Sequence, residues 1–299
     1  MSFFNFVVQH TFVSLLISKN YIMNKEQFTS SIKIGYANIL KRTTQKSTST
    51  TLFKCCSSKD ITTDVGRKIG YSEEQLTKVP ENSNLGVGCG NPIALASIKK
   101  GETILDLGSG AGFDCFLASQ ETGETGIVIG VDFTPEMVKQ AEINAKKGNY
   151  NNLEFKIGEI ENLPINDNTI DLIISNCVIN LSNQKEKVFT EAYRVVKQGG
   201  RLMISDLVLL KELPDYILNS VEGHIACLSG TISKQDYINI IKKAGFNNVK
   251  VDDEQPFPME LFLSDPLAQK IVTDNNLTEI EIKSIINSVA SVSISAIKN

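Results

Sequence analysis

The sequence predicts an α/β fold built on a mostly parallel sheet, with helices on both faces. Three observations carry this. Short apolar runs alternate with amphipathic stretches between residues 102 and 209, a glycine-rich turn follows the first run, and two more strand-like runs come later in the chain. Such alternation needs crossover connections, which set strands parallel and bury both sheet faces.

Thr103-Ile-Leu-Asp-Leu is the first strand, and a helix follows from Phe113 to Gln120. Ile127-Val-Ile-Gly-Val-Asp is the second strand. The stretch Pro135 to Lys147 then places Met137, Val138, Ala141 and Ala145 at helical spacing. Strands are expected at Leu153-Glu-Phe-Lys-Ile-Gly, Ile170-Asp-Leu-Ile-Ile-Ser and Leu202-Met-Ile-Ser-Asp-Leu, with a helix Lys185 to Lys197 before the last. After Pro214 come helices, the short strand Val249-Lys-Val, more helix, and a final strand Val289 to Ile297. These make seven strands. Upstream, Ser72 suits the cap of a short helix entering at Glu73. Pro92 to Lys99 suits a helix with proline in its first turn. Thr43 to Thr51, rich in Ser, Thr, Gln and Lys, reads as a linker.

Composition excludes several classes. Apolar residues make up 41% of 299, enough for a real core. A net charge of -4 and no basic stripe argue against nucleic acid as a partner. Six cysteines, two histidines and no CxxC pair fit neither a disulfide framework nor a structural zinc site. Free thiols in a reducing cytosol are the expectation, hence a cytoplasmic protein. Phe3 to Ile17 is apolar but interrupted by Gln9 and His10, and lacks a basic flank and a small-residue cleavage site. It is shorter than the roughly 20 residues that span a bilayer, so no membrane anchor is expected.

Asp106-Leu-Gly-Ser-Gly-Ala-Gly-Phe-Asp follows the first strand and opens a helix. Gly108, Gly110 and Gly112 let backbone approach a ligand closely. Asp132 ends the second strand, where an acid can hold ribose hydroxyls. The spacing differs from the dinucleotide fingerprint, and Asp106 would repel a pyrophosphate while suiting a sulfonium or an amine. That combination resembles the Rossmann-like S-adenosylmethionine-dependent methyltransferases. Gly158-Glu-Ile-Glu-Asn-Leu-Pro and Val195-Val-Lys-Gln-Gly-Gly follow in the order of that superfamily. The resemblance implies that Asp132 and Phe133 meet the ribose and adenine, and that Glu159 and Ile160 flank the adenine. An ordinary turn is the alternative for Glu159 and Ile160. The fourth strand lacks the Asn/Asp-Pro-Pro-aromatic run of nucleobase amino methylation.

It carries Ser175-Asn-Cys-Val-Ile-Asn-Leu instead. With Asn84-Leu-Gly-Val-Gly-Cys-Gly-Asn-Pro, Tyr71-Ser-Glu-Glu-Gln-Leu and Ser205-Asp-Leu, this closely resembles the arsenite methyltransferases from about Cys55 to about Val251. The resemblance implies a seven-stranded Rossmann-like fold and S-adenosylmethionine as methyl donor. It implies arsenite or methylarsenite as substrate, with As(III) held by Cys89, Cys177 and Cys227. Thiolate sulfur suits so soft an element, and activating the thiols calls for lowered pKa values or proton release on binding. The resemblance also implies a monomer and an external thiol reductant such as thioredoxin or glutathione. The resemblance implies a disulfide between Cys89 and an upstream cysteine during turnover; whether Cys55, Cys56 or neither serves is open, and the pair could also bind arsenic on its own or be idle.

Each cysteine also reads as a small buried hydrophobe, and Cys115 is assigned to the core. Asn176 and Asn180 flank Cys177, to hydrogen-bond the cofactor or to tie down the turn; Asn176 is assigned to the cofactor. His224, three residues from Cys227, is expected on a helix surface, with a base or a ligand as the alternative. The organisation expected is a variable, partly mobile extension (1–54), a cap with the Cys89 loop (55–100), the cofactor-binding core (101–210) and a substrate-side region with the final strands (211–299). Two other readings stay open: methylation of a small metabolite such as a quinone, and metalloid binding without turnover.

Overall fold

Parallel strands at the centre of a sheet are covered on both faces, so they read as unbroken apolar runs rather than alternating ones. Ile104 and Leu105 of β1 (Thr103–Leu107) and Leu172, Ile173 and Ile174 of β4 (Ile170–Asn176) are accordingly inaccessible to solvent. The structure is a computed structural model describing residues 25–44 and 58–299. The apolar run Phe3 to Ile17 and the pair Cys55 and Cys56 lie outside the described residues. The sheet is completed by β2 (Ile127–Asp132), β3 (Leu153–Ile157), β5 (Val196–Leu209), β6 (Asn247–Pro256) and β7 (Val289–Ile297). Its order is β3-β2-β1-β4-β5-β7-β6, with β7 antiparallel to both neighbours and the first five strands parallel. All seven expected strands are present.

Successive side chains of a strand point to opposite faces. Leu105 therefore packs with Phe189 and Tyr237, whereas Ile104 packs with Cys115 and Ile174 on the other side. Cys115 is fully buried, as expected. The helices are α1 (Lys25–Thr44), α2 (Ser58–Lys68), α3 (Glu73–Lys78), α4 (Pro92–Leu95), α5 (Phe113–Thr122), α6 (Pro135–Lys147) and α7 (Lys185–Val195). After β5 come α8 (Asp215–Leu218), α9 (Val221–Ile225) and α10 (Lys234–Lys243), and between β6 and β7 lie α11 (Met259–Ser264), α12 (Pro266–Asp274) and α13 (Glu279–Ile286). Ser72 caps α3 in a full capping box with Gln75. No helix among the described residues is long and apolar enough to cross a membrane.

Three expectations need correction. The helix expected over Pro92 to Lys99 ends at Leu95. Ser97 is left-handed (φ 49), and Arg201 donates to the carbonyls of Ala96 and Ser97 while its other contacts hold Glu102. A side chain 104 residues away thus takes acceptors that another helical turn would have used. The helix expected to reach Lys197 ends at Val195, and β5 starts at Val196 rather than Leu202. Polar Lys197-Gln-Gly-Gly looks like a turn in sequence, yet it runs as strand, with a register shift against β4. Strand β6 likewise extends well beyond Val249–Val251.

Candidate active site

Loops at the carboxyl ends of β1, β2 and β4 open onto one cavity of about 450 Å³, where open α/β sheets bind their ligands. Asp106, Gly108 and Gly110 line it from the first loop, and Asp132 and Phe133 from the second. Glu159 and Ile160 line it too, Glu159 at the exposed rim. Gly108 and Gly110 have φ of 70 and 53. A Cβ on Gly108 would lie 2.4 Å from Val178, whereas one on Gly110 would meet nothing within 4 Å. Open space above bare backbone is the fit expected for a ligand laid on the loop. Gly112 sits behind the lining as the N-cap of α5.

The acids in this cavity are short of water. Burial, then the charge of Asp114, pushes Asp106 well above the usual carboxylate range. Burial pushes Asp114 up to about 6. Asp132 is raised by burial, while N–H groups of Gly110 and Thr134 donate to its carboxylate at 2.9 and 2.8 Å. A cationic ligand beside these groups would offset their desolvation.

Cys177 and Cys227 also line the cavity, whereas Cys89 is not among its lining residues. Cys177 follows β4 in the left-handed conformation (φ 57), its N–H bonded to Ser205 O at 2.8 Å as the chain turns into the 3-10 segment Ile179–Leu181. Cys227 is also left-handed (φ 59), just past the C-cap of α9, where Leu228 N–H reaches Gly223 O at 2.8 Å. That position normally takes glycine or asparagine. Cys89 comes from the loop before α4, and Asn176 holds it there. Asn176 Oδ1 accepts from Cys89 N–H at 3.0 Å, and its Nδ2 donates to Gly90 O at 2.8 Å. Nδ2 also reaches Tyr71 Oη and Asp114 at 2.9 and 3.3 Å. Asn176 therefore lines the cofactor cavity while tying one thiol loop to β4.

The sulfurs of Cys89 and Cys177 and a carboxylate oxygen of Asp206 all lie within 4.8 Å of one another. Cys227 Sγ donates to Cys177 O at 3.0 Å and meets Tyr36 Oη at 3.8 Å. All three cysteines are free and buried, inside an apolar cluster with Leu213, Ile217 and Phe262. Their thiols are held protonated. Burial raises Cys89. A hydrogen bond from Cys227 pulls Cys177 down, but the hydrogen bond with Cys89 and burial carry it well above the usual value. Cys227 rises well above it through the hydrogen bond with Cys177 and through burial. Of the two expected routes to activation, lowered thiol pKa values are not found, because these thiols sit in an apolar pocket; the route through proton release on binding is untouched by this.

Sequence reasoning missed Asp206, Tyr36 and the Tyr71–Asp114 pair. Asp206 is fully buried, with burial raising it to about 6. Tyr71 Oη donates to Asp114 at 2.6 Å. His224 is buried rather than on the surface, and burial lowers it to about 4.

A family profile described as a methyltransferase domain matches residues 98–245. The solved arsenic(III) S-adenosylmethionine methyltransferase from Chlamydomonas reinhardtii is 31% identical, with a TM-score of 0.55 over 78% of this chain and 73% of that one. The chain belongs to the arsenite methyltransferase family. Its sheet is the Rossmann-like methyltransferase fold. An arsenite methyltransferase of Halobacterium salinarum is 43% identical over 198 residues, which cover 66% of this chain and 50% of that protein. One from Aquipseudomonas alcaligenes is 31% identical over 234 residues, 76% of this chain and 64% of that one. The chain thus spans between half and two thirds of these curated relatives.

Proposed function

We propose that this protein transfers methyl from S-adenosylmethionine to trivalent arsenic bound by Cys89, Cys177 and Cys227. One observation carries the reading: cysteines from three distant segments come together beside the cavity of the glycine loop, two of them in a backbone conformation that cysteine rarely adopts. When bound, S-adenosylmethionine supplies a methyl group on a sulfonium, and the lone pair of As(III) is its acceptor. Gly108, Gly110, Asp106 and Asp132 are the residues that would hold it, with Phe133, Ile160 and Glu159 toward the adenine and Asn176 at the thiol end. The region 211–299 supplies Cys227 and much of the apolar wall around the thiols, the substrate side of the molecule.

Protonated thiols suit this substrate. Arsenous acid, As(OH)₃, condenses with three thiols to give one tris-thiolate and three waters, so no net proton is released. A divalent metal, by contrast, displaces a proton from every thiol it takes. Burial that keeps the thiols neutral therefore leaves arsenic binding intact. Methylation takes arsenic from the trivalent to the pentavalent state. Returning it requires two electrons, which a dithiol reductant such as thioredoxin, or glutathione, supplies. Such thiol chemistry belongs to a reducing compartment, and we read the protein as a cytoplasmic monomer acting on arsenite and methylarsenite.

The test is a methylation assay with arsenite, S-adenosylmethionine and a thiol reductant. The expected outcome is methylated arsenic from the wild type and none from Cys177→Ser or Cys227→Ser, with cofactor binding kept. Full arsenic methylation by both variants would overturn the site assignment, and cofactor binding with neither arsenite binding nor arsenic methylation in the wild type would point to another methyl acceptor, such as a quinone. Arsenite binding without any methylated product would point to sequestration.

A further inference from the structure

We propose that Cys89, Cys177 and Asp206 form a site for a d10 divalent cation of the zinc or cadmium type, overlapping the arsenic site but distinct from it. Among the described residues, these are the ligand atoms that lie together within 4.8 Å, and Cys227 is not one of them. A tetrahedral ion with metal–sulfur bonds of about 2.3 Å needs its sulfurs about 3.8 Å apart, and accepts carboxylate oxygen at about 2.0–2.2 Å. Two thiolates and one carboxylate leave the fourth position open, as in zinc sites that hold an exchangeable ligand. Trivalent arsenic has another preference: a pyramid of three soft sulfurs, with its lone pair where a fourth ligand would stand. Carboxylate oxygen is a poor replacement for the third sulfur.

The carboxylate is built to serve as a ligand. Asp206 Oδ1 accepts from Asn180 Nδ2 at 2.8 Å and from its neighbour Leu207 N–H at 2.9 Å. Oδ2 accepts from Tyr237 Oη at 2.9 Å. These donors fix the orientation of the group, as outer-sphere hydrogen bonds do around metals, and leave lone-pair capacity on Oδ2. Asn180 Oδ1 is buried with no hydrogen-bond partner among the described residues, an acceptor one side chain from the site. A dication displaces one proton from each thiol it takes and offsets two of the three negative charges of two thiolates and a carboxylate. A dication here occupies two of the three arsenic thiols, so it excludes arsenite. This last consequence, competition, rests on the arsenic reading above.

Cadmium chloride is the probe, added to the full reduced chain without methyl donor and followed by thiolate-to-cadmium absorption and calorimetry. One equivalent should bind the wild type. Cys227→Ser should keep that affinity within about threefold, the size of a peripheral change, and bind arsenite more weakly. Asp206→Asn should weaken cadmium by more than the ~10–100-fold that an outer-sphere partner is worth, with arsenite affinity kept. Tyr237→Phe should weaken cadmium by about 10–100-fold. S-adenosylmethionine binding by each variant reports that it is folded. Unchanged cadmium affinity in folded Asp206→Asn, or its loss in Cys227→Ser, overturns the proposal. Should cadmium follow this order while the wild type neither binds nor methylates arsenite, the arsenic reading alone fails.

Discussion

A cysteine in the left-handed region carries a steric penalty of roughly 1–2 kcal/mol, because its Cβ crowds the neighbouring carbonyl. Seven described non-glycine residues have positive φ: four are asparagines, which tolerate it, and the others are Ser97, Cys177 and Cys227. Strain of this kind persists where a site needs it. It follows that Cys177→Gly should be more stable than Cys177→Ala by about 1 kcal/mol, the penalty less the entropy that glycine loses on folding. Chemical denaturation of the two variants measures this, and alanine being equal or better would remove strain from the account. The position of Cys177 was legible, since it directly ends an apolar run that must be a strand. Its φ was not, nor was Asp206. That residue reads as an ordinary strand position, and nothing near it in sequence tells that loop 84–91 packs against it. Its environment depends on contacts across more than a hundred residues.

Among the elements, α1 has the least visible role in the sequence, where residues 1–54 read as a variable extension. Its residues Ile32, Tyr36 and Ile39 line the cavity wall, and Lys33 Nζ stands 5.2 Å from the ring centroid of Phe133. Tyr36 Oη donates to Ile225 O at 3.2 Å and touches the sulfur of Cys227. One helix therefore spans the cofactor end and the thiol end. Tyr36→Phe removes a hydrogen bond worth about 0.5–1.5 kcal/mol. Arsenite affinity should fall by about 2–10-fold, with the thermal midpoint nearly unchanged; calorimetry on the reduced protein checks it. Loss of the hydroxyl without effect on arsenite would reduce α1 to packing. The strands were read well because apolar periodicity is local, whereas α4 and β5 were misjudged where Arg201 and the β4 register, both distant, set the ends.

At the scale of the molecule, the sheet brings two kinds of group together across one cavity: raised carboxylates at the glycine loop and raised thiols opposite. The carboxylate end gives a pH dependence whose direction can be worked out. Asp106 stays protonated in the ligand-free protein well above its ordinary value of 3.8. A sulfonium beside it favours the ionised form, so S-adenosylmethionine binding releases a proton in that pH range. Its affinity should then rise with pH, by up to about tenfold per unit. The demethylated product, neutral at sulfur, should show a shallower slope. Equal slopes for the two, measured by calorimetry from acid to neutral pH, would separate Asp106 from the sulfonium. The central claim concerns the other end: that sulfurs from Cys89, Cys177 and Cys227 close on one arsenic atom. Arsenic X-ray absorption of the arsenite complex measures it directly. The account predicts three sulfur neighbours in the wild type, falling to two sulfurs and an oxygen in Cys227→Ser. A wild-type arsenic with fewer than three sulfurs, or one whose shell Cys227→Ser leaves unchanged, would contradict it.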